Sequence, residues 1–279
     1  MRSTPGSSPD LGLLSFNQMT CDPANLTQAI EATAHAGLKW IGVWRHKIKD
    51  RPVEDYGRQI RDAGLSVSGL CRGGMFPSLD AGDRQRRIDD NLRALDEAAA
   101  LGTDTLVMVC GGLPEGSRDL DGARRMVVDG LRAMVPHAKD RGVRIGIEPL
   151  HPMFAADRSV VSTLGLANDM VEEVGSDLVG VVIDVYHVWF DPQVYREIER
   201  SRGRIFGFHV CDWLVPTPHM LLGRGMMGDG VIEIARLRQA VEAQGYSGPI
   251  ECEIFNQSVW DAPIDQTMSR MKQTFLDFC

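Results

Sequence analysis

Several things are missing from this 279-residue chain, and each absence narrows its class. No segment reaches the roughly 20 apolar residues that a membrane-spanning helix takes. The first ten residues, MRSTPGSSPD, lack the apolar core of a secretory signal and read as a flexible polar tail. No CxxC pair occurs among the six cysteines, Cys21, Cys71, Cys110, Cys211, Cys252 and Cys279. Four of them lie inside apolar runs, so the expectation is buried, reduced thiols in a cytoplasmic protein. There is no excess of positive charge: 30 Lys and Arg face 38 Asp and Glu, a net charge of −8. That balance argues against a nucleic-acid partner, which favours a basic face. No linker or shift of composition divides the chain, so a single domain is expected over 11–279.

What is present is a regular punctuation. Stretches of helical character end at Gly37, Gly64, Gly102, Gly142, Gly175, Gly203 and Gly245, and a short apolar run follows each. Glycine just past a helix end takes the left-handed conformation that satisfies the last carbonyls. The runs are Leu38–Trp44, Leu65–Cys71, Thr105–Cys110, Val143–Ile147, Leu178–Ile183, Ile205–Val210 and Ile250–Ile254. An eighth, Leu11–Phe16, precedes the first glycine. Continuous apolar runs of this length suit strands covered on both faces.

Between them lie one-sided helical stripes, such as Ile88, Leu92, Leu95 and Ala99, or Val127, Leu131, Met134 and Ala138. Asp22-Pro23 and Asp191-Pro192 look like helix starts, an N-cap acceptor followed by proline. Ile264 to Phe278 closes the series as a last helix. Eight strand–helix units predict an α/β fold, a (β/α)8 TIM barrel. A doubly wound open sheet is the alternative, but the stretch after the first run, NQMTCDP, holds no glycine for a phosphate turn.

Barrel enzymes carry their chemistry at the C-terminal ends of the strands. The fifth run ends in Glu148 and the sixth in Asp184, with His187 three residues on. The seventh carries His209 and Asp212, and the eighth Glu251 and Glu253. An ionisable group on a strand buried on both sides is costly unless it is paired or bound to metal. Glu148, Asp184, His209 and Glu253 are expected to converge on one mouth. Three carboxylates and an imidazole suit one divalent ion, Mn²⁺ first, with Mg²⁺ or Co²⁺ as alternatives. Glu251 and Glu253 share a side of the strand, and Glu253 lies nearer the mouth. Glu251 is left a layer below, as a buried support.

These residues sit in the pieces IEPLHP, VIDVYHVWFD, FHVCDW, RGMMGDGVIEI and GPIECEIF. In order and spacing they resemble the sugar phosphate isomerase/epimerase superfamily, the xylose isomerase-like barrels. The resemblance covers strands five to eight well and the first half only in architecture. It implies that Glu148, Asp184, His209 and Glu253 bind the metal and that Glu148 and Glu253 also move the proton. It implies a substrate-hydroxyl contact for His187 and a hold on the substrate's oxygen end for Arg224. The implied activity is isomerisation or epimerisation of a sugar, keto-sugar or inosose through a metal-stabilised enediolate. A dehydratase or lyase on the same substrates is the alternative reading. Less favoured are an inert sugar-binding barrel and a nuclease like endonuclease IV, whose early-strand histidines are missing. Family members often pair, which implies a possible homodimer, with a small sugar or cyclitol as ligand and neither nucleic acid nor membrane as partner.

Further candidates for the substrate site are His151, Arg72 in CRGG, Arg45-His46 after the second run, and Trp44, Trp189 and Trp213 near strand ends. For the arginines the competing reading is a surface salt bridge, and for the indoles a core rim. Asp212 either contacts the site, orients His209 or pairs with an arginine. Met226-Met227 reads as loop packing, and the GDG after it does not match a P-loop.

Overall fold

The structure, a computed structural model, describes residues 11–279. The tail expected at 1–10 lies outside the described residues. Eight parallel strands close a barrel: β1 (Leu14–Asn17), β2 (Trp40–Trp44), β3 (Ser66–Gly74), β4 (Thr105–Val109), β5 (Arg144–Ile147), β6 (Val179–Asp184), β7 (Ile205–Val210) and β8 (Ile250–Cys252). Each neighbours the next in chain order, and β8 closes onto β1 through Leu14 and Ile250. The closed barrel excludes the open doubly wound sheet.

Helices α1 (Leu26–His35), α2 (Val53–Asp62), α3 (Ala81–Leu101), α4 (Leu120–Arg141), α5 (Leu164–Val174), α6 (Val194–Arg200), α7 (Ile234–Glu242) and α8 (Ile264–Phe278) each follow a strand. The last coincides with the expected closing helix. The seven punctuating glycines all have left-handed backbone, φ between 65° and 92°. Three of them, Gly102, Gly142 and Gly175, are the caps that end α3, α4 and α5. The stripe Val127, Leu131, Met134 and Ala138 is buried along α4. On α3 the buried face is turned slightly, through Asn91, Ala94, Leu95, Ala98 and Leu101.

Two expected helix starts are displaced. Asn25, not Asp22, caps α1, because Asn25 and Gln28 form a reciprocal capping box. Asp191 does accept from the backbone N–H of Gln193, but helical geometry begins only at Val194. None of the described helices is long and apolar enough to cross a membrane. Among the described residues all six cysteines are free, and five are buried.

Strand register sets the level of the polar residues. Asp184 on β6 is the direct partner of His209 on β7, and His209 in turn of Glu251 on β8. Glu253 follows two residues above Glu251, and its N–H donates to the carbonyl of Val210. Glu148 follows β5 directly, its N–H held by the carbonyl of Met108.

Candidate active site and metal centre

Glu148, Asp184, His209 and Glu253 meet at the C-terminal mouth. All four are buried, and each offers a ligand atom within 4.8 Å of the others. Glu148 Oε1 and both ring nitrogens of His209 are buried without a hydrogen-bond partner. The contacts of His209 Nδ1 are long: it lies 3.5 Å from Glu148 Oε1 and 3.9 Å from Glu253 Oε2. Hydrogen bonds of this kind are usually 2.7–3.2 Å. Orphaned buried acceptors facing one another at this spacing fit a divalent ion, and the oxygen-rich donor set suits a hard or borderline one.

The electrostatics follow from burial and like charge. Burial disfavours a charge on His209, but Glu251, Glu148 and Glu253 outweigh it and push its pKa up to about 10. Burial pushes the Glu253 carboxyl up to about 8, against the pull of Arg224 and His209. Asp184 is fully buried yet stays below the usual carboxylate range, because Arg224, His187 and His209 overcome its desolvation. His187 is driven down to about 3, chiefly by burial, so it is a neutral imidazole.

Arg224 enters from the loop after β7, on the short ribbon Asp212–Trp213 with Arg224–Gly225. Its Nη1 sits 2.7 Å from Asp184 Oδ2 and 3.0 Å from Glu253 Oε2, so the guanidinium bridges two of the three acids in the cluster. Its Nη2 lies 3.1 Å from His187 Nε2, while His187 Nδ1 lies 3.1 Å from the backbone nitrogen of His151. A neutral imidazole accepts at only one nitrogen, so only one of these contacts is a hydrogen bond at a time.

Glu251 fills a hollow one layer down. A Cβ on Gly42 would lie 2.2 Å from Glu251 Oε2, and one on Gly69 3.2 Å from Oε1. A side chain at 42 would displace the carboxylate, and one at 69 would crowd it. Asn17, at the end of β1, donates from Nδ2 to Glu251 Oε2 at 2.8 Å and to Glu253 Oε1 at 3.1 Å. Trp44 Nε1 donates to Asn17 Oδ1. Glu251 Oε2 stands 3.7 Å from His209 Nε2, which leaves Nδ1 as the nitrogen facing Glu148 and Glu253. Glu251→Gln is therefore expected to weaken divalent-ion binding about 10–100-fold, the usual cost of losing a ligand's supporting carboxylate. Titration with Mn²⁺ checks it, and unchanged affinity would dismiss the support role.

A cavity of about 120 Å³ opens above these groups, lined by Glu148, His187, Arg224 and Glu253 and by Trp44, Arg72, Arg158 and Phe255. Of the other expected contacts, several lie elsewhere. His151 does not line this cavity; its ring caps the turn Pro152–Phe154 and packs on Phe190 and Trp213. Asp212 is not turned into the mouth either. Its carboxylate accepts from the N–H groups of Trp213, Gly228 and Ile232 and so ties down the Arg224 loop. Arg45 is held by Asp90 and Glu97 of α3 as a salt bridge. Trp189 and Trp213 pack against each other outside the cavity. Met226 and Met227 are buried loop packing beside Cys252. Sequence reasoning missed Asn17 and Arg158. Asn17 had a signal, a polar residue closing an apolar run, whereas Arg158 sits in an unremarkable loop.

Residues 30–274 match the family model described as xylose isomerase-like TIM barrel, and the chain belongs to that family. A solved structure of a protein from Sinorhizobium meliloti is 46% identical, with a TM-score of 0.94 over 97% of this chain and 99% of that one. The chain is 28% identical to a 3-dehydroshikimate dehydratase of Pseudomonas putida, covering 86% of this chain but only 38% of that protein. It is 22% identical to an inosose isomerase of Bacillus velezensis, over 94% of this chain and 95% of that one. Both named relatives are enzymes.

Proposed function

We propose that this chain is a divalent-metal-dependent isomerase or epimerase of a keto-sugar or inosose. The observation that carries this reading is the buried cluster of Glu148, Asp184, His209 and Glu253 beneath a small cavity. Those four residues would hold the ion, with Mn²⁺ as the expected species. When bound, it would polarise a carbonyl and make the adjoining carbon–hydrogen bond more acidic.

The chain's own residues do the rest. One of Glu148 and Glu253 takes the proton from that carbon, and the bonding pair shifts toward the carbonyl oxygen. The other returns a proton to the opposite face of the same carbon, giving an epimer; or the carbonyl carbon takes it while the neighbouring hydroxyl passes its proton to the former carbonyl oxygen and becomes the new carbonyl, giving an isomer. His187, neutral and buried, offers a ring nitrogen to a substrate hydroxyl. Arg224 keeps Asp184 and Glu253 in place and lines the same cavity. Leu150, Phe154 and Phe255 make its walls apolar, which excludes water from the reacting carbon.

A second reading has specific support. The Pseudomonas putida relative is named a dehydratase, and the same proton abstraction serves elimination. In that case a hydroxyl one carbon away leaves with the electron pair and departs as water after taking a proton. Incubation with Mn²⁺ and a panel of ketoses and inososes, neutral and carrying carboxylate or phosphate, in D₂O tests both. Deuterium at a carbon next to the carbonyl of a recovered isomer supports the first. Loss of water supports the second. Ion bound at the four residues with no exchange and no elimination across the panel argues for a binding protein.

A further inference from the structure

Three guanidinium groups line the cavity, and their charges are not equally answered. Arg224 is neutralised by Asp184 and Glu253. Arg72 and Arg158 have no carboxylate within ion-pair distance among the described residues. The side chain of Arg72 has its one hydrogen bond with the sulfur of Met75, at 3.3 Å. That of Arg158 lies beside the ring of Phe154, 5.6 Å from its centre. Burial, then Arg72, lower the pKa of Arg158 against the pull of Asp157, and Arg224 adds to the lowering. The positive groups are thus close enough to repel one another. Elsewhere on this acidic chain arginines are commonly paired, as Arg45, Arg200 and Arg270 are.

Arg72 projects from the end of β3 and Arg158 from the loop after β5, and the two segments share a frame, the end of β4. Asn91, buried on α3, grips Gly74 at both ends, accepting from its N–H at 2.6 Å and donating to its carbonyl at 2.8 Å. Gly74 has φ +112°, and a Cβ there would lie 1.9 Å from the carbonyl oxygen of Val109. Arg87 donates to the carbonyls of Met75 and Pro77. On the other side, Gly111 donates to the carbonyl of Arg158 at 3.0 Å and accepts from Val160 at 2.8 Å. The end of β3 with the turn that follows it, and the loop after β5, are therefore both pinned to Val109–Gly111, and both free guanidiniums reach one cavity.

We propose that the substrate carries an oxyanion, a carboxylate or a phosphate, and that Arg72 and Arg158 hold it in this cavity. This rests on the proposed function above and narrows its substrate class to a keto-sugar or cyclic ketone that carries a carboxylate or a phosphate, not a neutral one. The chemistry is that of a fork. Guanidinium donates two parallel hydrogen bonds to planar or tetrahedral oxyanions, and two such groups fix the orientation of a small ligand. A neutral sugar would leave both charges in the half-buried cavity without a counter-charge.

Calorimetric titration of the full chain, with and without Mn²⁺, tests this with two matched pairs. One pair is shikimate and neutral myo-inositol, the other fructose 6-phosphate and fructose. At least one anion is expected to bind tenfold or more tightly than its neutral partner, and which arm shows it identifies the source of the oxyanion. Arg72→Gln and Arg158→Gln are each expected to erase the preference, while Arg72→Lys and Arg158→Lys keep part of it. Raised salt should shrink it. Equal affinity for charged and neutral members, no binding of either anion, or a preference that survives in both folded Gln variants would overturn the proposal. The readout needs no turnover. A failure of proton transfer would count against the proposed function and leave the anion preference to be judged on its own.

Discussion

Glu148→Gln and Glu253→Gln are each expected to abolish deuterium exchange into substrate, with turnover down about 10²–10⁴-fold, the usual share of a positioned acid or base. Glutamine keeps the shape and a ligand oxygen but cannot take or give a proton near neutral pH. Both side chains are buried in the cluster and line the cavity, so neither is replaced by bulk water. Loss of a metal ligand must be separated from loss of a proton carrier. Bound ion is therefore measured in the same samples, and exchange is recorded at saturating Mn²⁺. Exchange that persists in both ion-loaded variants would take these glutamates off the proton path. Exchange lost in only one would show that a single residue carries the proton out and back.

Arg224→Ala is expected to cost about 3–5 kcal/mol in stability, the typical loss when one partner of a buried ion pair is removed. Arg224 is 4% exposed, its guanidinium touches Asp184 and Glu253 at once, and neither acid has another cation at hydrogen-bond distance among the described residues. Truncation also removes packing against Tyr186 and Phe255, whose rings lie 4.6 Å and 5.0 Å from the guanidinium carbon. Divalent ion should restore part of the loss, because it supplies positive charge to the same carboxylates. Thermal melts of wild type and variant, with chelator and with Mn²⁺, check both statements. A variant as stable as wild type in chelator would mean that the acids are solvated or protonated. A variant that gains no more from the ion than wild type would separate Arg224 from the metal centre.

How much of this was legible in the sequence depends on the kind of residue. Glu148, Asp184, His209 and Glu253 stand out because each closes or follows an apolar run, where a charge has no ordinary reason to be. The eight runs were readable for the same reason, and the glycines between them for theirs. Register was not readable, and register is what puts Asp184 beside His209 and His209 beside Glu251. Asp212 shows the limit. In FHVCDW it looks like a fifth site acid, yet the chain has already turned, and its oxygens meet backbone N–H groups of the following loop. Asn17 was hidden because the first run was closed one residue too early, at Phe16. Arg158 lies ten residues past Glu148, and only the folding back of its loop onto Gly111 brings it to the cavity. Asp22-Pro23 misled because a better cap, Asn25 with Gln28, stood three residues on.

The hollow made by Gly42 and Gly69 has a consequence for how the family can drift. Where a barrel usually packs branched apolar side chains, this one stores a carboxylate against bare backbone. Positions 42 and 251 are therefore expected to vary together, with 69 following them. A side chain gained at 42 evicts Glu251, and shortening Glu251 leaves a polar void, so single steps in either direction are selected against. Relatives should change these positions together or not at all, and a lineage that abandons the chemistry should first show it there, by filling the glycine hollow once the acid has gone.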